Sequence, residues 1–125
     1  MKANKNRSSL LLTWLFLWVL AIHSPVQAHA ALDASNPPKD AVLHESPSEI
    51  ALRFNENLEN DFSTIKVIGA DGNAVAIQKA QVDTENTKML KMKTGVLKPG
   101  KYHVEWVGVG HDGHRRKGDY FFTVE

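Results

Sequence analysis

The chain has 125 residues, with 15 Lys and Arg against 14 Asp and Glu and a formal charge of +1, which allows one compact domain and excludes multidomain readings. It contains no Cys. That removes disulfide frameworks, thiolate zinc sites, iron–sulfur clusters and cysteine nucleophiles together, and leaves His, Asp, Glu and the chain terminus as candidate metal ligands.

Lys2, Lys5 and Arg7 make a basic start, and the apolar run over residues 10–22 is shorter than the roughly 20 residues that a bilayer-spanning helix needs. Residues 1–28 therefore read as a cleaved secretory signal peptide rather than a retained anchor, with residues 29–125 as the exported domain. Two processing signals overlap: Val26-Gln27-Ala28 would release a chain beginning at His29, and Ala28-His29-Ala30 one beginning at Ala31. A cut after Ala28 removes three cations and no carboxylate, so 12 Lys and Arg (15 less Lys2, Lys5 and Arg7) face 14 acidic residues and the charge becomes −2. Without a basic excess or a basic-aromatic stripe, nucleic-acid binding has no electrostatic drive.

The exported region predicts strands separated by turns, the pattern of a β-sandwich or small barrel. Residues 31–35 form a short edge strand that Asn36-Pro37-Pro38-Lys39-Asp40 must end, because proline lacks the donor that a central strand or a helix requires. Ile50, Leu52 and Phe54 then alternate with Ala51, Arg53 and Asn55, burying one face at period two, and Ile65 and Val67 do the same around Lys66. Asp71-Gly72-Asn73 signals a hairpin into Val75-Ile77. Residues 78–88 are polar and predict a loop, after which Leu90 and Met92 point inward. Lys98-Pro99-Gly100-Lys101 turns the chain into a strand with Tyr102, Val104 and Trp106 inward, and Tyr120, Phe122 and Val124 repeat the pattern at the end. No internal repeat or low-complexity tract interrupts this order.

Removal of the signal leaves five His: His29, His44, His103, His111 and His114. Two have a context for metal. As the first residue, His29 offers an α-amine and an imidazole nitrogen that close one chelate ring, a donor set suited to Cu(II), which favours nitrogen in tetragonal geometry. In Asp112-Gly113-His114, an extended backbone would put Asp112 and His114 on one face and His111 on the other; Asp-Gly is equally a turn signal beside a solvated His. Glu56 ends the Ile50-Leu52-Phe54 alternation as a carboxylate on the inward parity, either reaching solvent or serving as a ligand at the rim.

The exported region resembles the CopC-type copper-binding domain of periplasmic copper-resistance proteins over nearly all of residues 29–125. The matching features are the leading His29 with its short strand and Pro turn, Ile50-Ala51-Leu52-Arg53-Phe54-Asn55-Glu56-Asn57-Leu58, Lys98-Pro99-Gly100-Lys101-Tyr102-His103-Val104-Glu105-Trp106, and Asp112-Gly113-His114 ahead of Gly118 and the last strand. The resemblance implies an all-β fold, a small Greek-key barrel or sandwich of immunoglobulin-like type with about seven strands. It also implies one Cu(II) ion held by the amine and imidazole of His29, the imidazole of His114 and the carboxylate of Asp112, with Glu56 as a further ligand or a supporting partner. Coordination requires the amine and the imidazoles to lose protons, so binding should strengthen as pH rises. Two departures stand out. The exported region has just Met89 and Met92 where some family members carry a Met-rich loop for Cu(I), and Gly110-His111 replaces a more usual Ser and small or apolar residue.

The resulting expectation is a non-enzymatic periplasmic copper carrier or buffer, with no small-molecule substrate and with an inner-membrane CopD-type transport protein as the partner the resemblance implies. Two other classes stay open at this point: a histidine-brace copper oxidase, which also uses a terminal His on a β-sandwich, and an immunoglobulin-like interaction module without metal.

Overall fold

The computed structural model describes residues 31–75 and 78–125. The expected signal peptide, His29 and Ile77 lie outside the described residues. Eight strands follow in order: β1 (Leu32–Asn36), β2 (Val42–Leu43), β3 (Glu49–Phe54), β4 (Thr64–Ile68), β5 (Gln81–Val82), β6 (Met89–Lys93), β7 (Gly100–Val109) and β8 (Arg115–Val124). They form two four-stranded sheets, β1-β3-β6-β5 and β2-β8-β7-β4. With β1, β3, β6 and β5 in the places of strands A, B, E and D, and β4, β7 and β8 in those of C, F and G, the order is the immunoglobulin-type plan.

About seven strands were expected; the described residues form eight, the short additional one arising after Pro37-Pro38. The proline pair cannot continue a ladder, so the first strand breaks there and its continuation crosses to the other sheet, where β2 pairs parallel to β8. The polar stretch read as loop over residues 78–88 contains β5, whose Gln81 and Val82 pair with Lys91 and Leu90. A two-residue strand has too little alternation to be recognised. The hairpin at Asp71-Gly72-Asn73 forms as expected: Gly72 has φ 80°, Ile68 bridges Ala74, and the Asp71 carboxylate accepts the Asn73 N–H at 3.0 Å. Hydrogen bonds from the Asn73 side chain and backbone hold the Asp71 carboxyl below its ordinary range.

The alternating runs build the core between the sheets. Ile50, Leu52 and Phe54 from β3, Leu90 and Met92 from β6, Ile65 and Val67 from β4, Tyr102, Val104 and Trp106 from β7, and Tyr120, Phe122 and Val124 from β8 are all buried. Phe54 meets Trp106 edge to face at 5.2 Å across the sheets, and Tyr102 stacks on Phe122 at 5.3 Å. Fully burying each such side chain is worth about 1.5–3 kcal/mol, and this continuous apolar layer fixes the strand ends on which the rim loops are built.

Candidate metal centre

The chain leaves β3 at Asn55 and runs along one end of the sandwich. Leu58 is buried, bridges Gly110 and donates its N–H to the Thr87 carbonyl at 2.9 Å, while the Glu59 N–H bonds the Val109 carbonyl at 2.8 Å. These contacts lay residues 55–59 against the far end of β7. The segment joining β7 to β8 sits at the same end, so the sandwich brings together two stretches that are far apart in sequence.

Residues 110–114 form a tight turn, not the extended segment expected from alternation. Gly113 N–H donates to the Gly110 carbonyl at 2.9 Å, the Gly110 N–H reaches the His114 carbonyl at 3.2 Å, and Gly113 has φ 79°, where a side chain would be strained. Asp112 Oδ1 accepts the His114 N–H at 2.9 Å, the local side-chain bond by which Asp builds turns. The two residues still converge: His114 Nδ1 lies 2.8 Å from Asp112 Oδ2. Their meeting comes from the turn, and the opposed-face reason for setting His111 apart no longer applies. His111 Nε2 instead lies 3.7 Å from Glu59 Oε1, with both side chains well exposed.

Glu56 sits at the foot of this turn. A Cβ placed on Gly110 would come within 2.5 Å of Glu56 Oε2 and 2.9 Å of Oε1, so the carboxylate lies in a space that only glycine leaves open. Its Oε1 is buried without a hydrogen-bond partner. A polar atom so placed costs about 1–3 kcal/mol, a penalty that an entering cation would relieve.

Glu56, Asp112 and His114 thus occupy one end of the fold, and among the described residues no group of three or more His, Asp or Glu is arranged to hold a metal by itself. The two remaining imidazoles of the described residues are elsewhere. His44 Nδ1 pairs with Glu125 at 3.0 Å. His103 lies on the outer face of the second sheet, with Nε2 2.8 Å from Asp119 Oδ2 and its ring stacked on Phe121 at 4.3 Å. A groove of about 610 Å³ over that face is lined by Lys66, His103, Glu105, Lys117 and Asp119 among others, and it is shallow and away from the turn. Two contributors at the rim escaped the sequence reading. Gly110 matters through the side chain it lacks, and Asn55 through a bond to a residue 24 positions earlier; neither leaves a local signal.

Comparison with known proteins agrees with this architecture. The CopC domain model matches residues 32–125. Protein YobA of Escherichia coli (strain K12) is 36% identical over 101 residues, covering 80% of this chain and 82% of that one. The copper transport protein CutJ of Bacillus subtilis is 29% identical over 114 residues, 89% of this chain but 21% of the longer relative. In three dimensions, PcoC from Escherichia coli, described as a methionine-rich copper resistance protein, superposes with a TM-score of 0.66 at 32% identity, covering 78% of this chain and 100% of that one. With three-quarters of its length matched by the family model and the immunoglobulin-type sheet order in place, the chain belongs to the CopC family.

Proposed function

We propose that the protein binds one Cu(II) ion as cargo at the rim, through the amine and imidazole of His29 as first residue of the exported chain, His114 and Asp112, with Glu56 completing or supporting the set. The observation that carries this reading is the Glu56 carboxylate, buried on Gly110 with an unsatisfied oxygen beside the turn that locks Asp112 to His114. His114 Nδ1 and Asp112 Oδ2 are joined by a hydrogen bond of 2.8 Å, so the turn keeps one nitrogen and one carboxylate donor side by side, and an ion would take the place of the bond between them. Nitrogen and carboxylate donors favour Cu(II), whereas Met92 is held in the core and Met89 on β6, away from any thioether cluster for Cu(I).

In this reading the protein is a periplasmic carrier or buffer in copper resistance and not an enzyme. The carboxylates fill positions that oxygen activation would need open. A CopD-type inner-membrane transporter is the proposed partner; CutJ supports it, since a relative of this domain there makes up 21% of a protein named for copper transport.

The test is intact mass of the exported protein followed by Cu(II) titration against a competing chelator. A start at His29, one-to-one binding and nitrogen coupling in the EPR spectrum are expected. A start at Ala31 would overturn the ligand set, and ascorbate-driven peroxide release by the copper-loaded protein would point to oxidase chemistry instead.

A further inference from the structure

We propose that Ser63 is a positioning residue for the metal: its buried hydroxyl holds β7 where that strand runs past its neighbour, and so fixes Gly110 between Glu56 and the ligand turn. The inference rests on the copper reading above and adds a residue with no donor role in it. β4 and β7 pair only as far as Thr64 and Val107, yet β7 continues to Val109, a buried residue whose N–H and carbonyl lie beyond the ladder. Buried backbone groups left without partners are costly. Both are met by the chain that leads into β4: Ser63 Oγ accepts the Val109 N–H at 3.1 Å, and the Glu59 N–H donates to the Val109 carbonyl at 2.8 Å. Ser63 is fully buried, and its own N–H bonds the Glu59 carbonyl at 3.1 Å, so the two anchors brace each other within one turn.

That brace bears on the site through Gly110, the next residue. Gly110 bridges Leu58, donates its N–H to the His114 carbonyl at 3.2 Å, and leaves open the space in which the Glu56 carboxylate rests. Without a side chain of its own to pack, it takes its position from Val109 on one side and from the ligand turn on the other. Holding Val109 therefore sets the spacing between the Glu56 carboxylate and the turn that carries Asp112 and His114, and preorganisation of this kind raises affinity without adding a donor. Alanine at position 63 would remove the hydroxyl oxygen alone and leave the Val109 N–H buried without its acceptor.

The distinguishing experiment is a double-mutant cycle on the exported protein, with Cu(II) affinity read by chelator competition in wild type, Ser63→Ala, Glu56→Gln and the double variant. A hydrogen bond of ordinary strength corresponds to about fivefold in affinity, and that is the loss expected for Ser63→Ala. In the Glu56→Gln background the same substitution should cost less than about twofold, because the carboxylate it positions is gone. Val67→Ala, which hollows the core of β4 at mid-sheet opposite Val104, should lower the thermal midpoint at least as far and leave the affinity unchanged. A Ser63→Ala loss of equal size in both backgrounds, or no loss in either, overturns the proposal, and so does a Val67→Ala variant that binds as weakly as Ser63→Ala. A Ser63→Ala chain without a cooperative unfolding transition overturns it too, since the hydroxyl would then hold the fold rather than the site. In the metal-free wild type the Val109 amide should exchange its hydrogen as slowly as the amides inside the β4–β7 ladder; exchange at the rate of an exposed amide removes the anchor. If His114→Ala and Asp112→Asn each leave the affinity unchanged, the copper reading itself falls, whatever Ser63 does.

Discussion

Two imidazole–carboxylate pairs in this molecule have the same spacing and different surroundings. His114 and Asp112 meet at 2.8 Å within one turn, and His103 and Asp119 meet at 2.8 Å across two strands. The second pair lies on a regular sheet, with His103 stacked on Phe121 and Lys101 Nζ 4.7 Å from the centre of the same ring, so its contacts are those of a cross-strand ladder. The first pair stands on a glycine in the left-handed conformation, beside a carboxylate with an unsatisfied buried oxygen. A His–Asp contact alone therefore says little about metal; what distinguishes the rim is that groups from separate parts of the chain converge there with one valence left open.

The largest effect should separate the two pairs directly. His114→Ala is expected to lower Cu(II) affinity by about a hundredfold or more, since loss of a supporting group alone commonly costs 10–100-fold, while His103→Ala leaves it unchanged in the same chelator competition. Equal losses would mean that the outer face of the sheet also takes part. Next in size is Gly113→Ala, which forces a side chain into a left-handed conformation at about 1–2 kcal/mol and should both lower the thermal midpoint and weaken copper binding; a wild-type midpoint would show that the turn relaxes easily. A smaller effect is expected for Glu56→Gln. Its copper affinity should fall by about tenfold, less than for His114→Ala, without lowering the stability of the metal-free protein, because the lost carboxylate oxygen has no partner to lose.

The smallest effect concerns a charge pair with no part in metal binding. The Lys91 ammonium bonds the Asp83 carboxylate, which together with the Glu85 and Asn86 backbone N–H groups holds the Asp83 carboxyl below its ordinary range. A depressed folded value means that the pair stabilises the fold above the ordinary aspartate range near 3.9 and loses that contribution as pH falls toward the folded value. Asp83→Asn should therefore flatten the acid limb of the stability curve while leaving copper affinity at neutral pH intact. A change in that affinity would sink the separation drawn here between sheet pairs and rim pairs.

The alternation at β3, β4, β7 and β8 was legible because each run has one apolar face, and period two leaves no choice about which side faces the core. Glu56, Asp112 and His114 were legible as residue types, and the fold brings them to one end. Geometry through residues 110–114 was not. Asp-Gly signals a turn as readily as an extended ligand pair, and the bond from Asp112 Oδ1 to the His114 N–H decided it. Nor could any local pattern announce that Pro37 and Pro38 move the chain to the other sheet, or that the side chain of Asn55 reaches back to Ala31, since both depend on neighbours fixed by the completed sandwich.

The short strand β2 has a consequence in time. Val42 and Leu43 pair with Thr123 and Val124, 81 positions further along, and backbone bonds from Asp40 to Phe121, Thr123 to Ala41 and Glu125 to Leu43, at 2.7 to 2.8 Å, extend the seam. Closing a loop of that length earns contacts only late, whereas the β5–β6 and β7–β8 hairpins close locally and quickly. A chain emerging from its N-terminus therefore carries β2 unpaired until residues 121–125 arrive, so the last strand of the domain sets the moment at which its beginning is fastened.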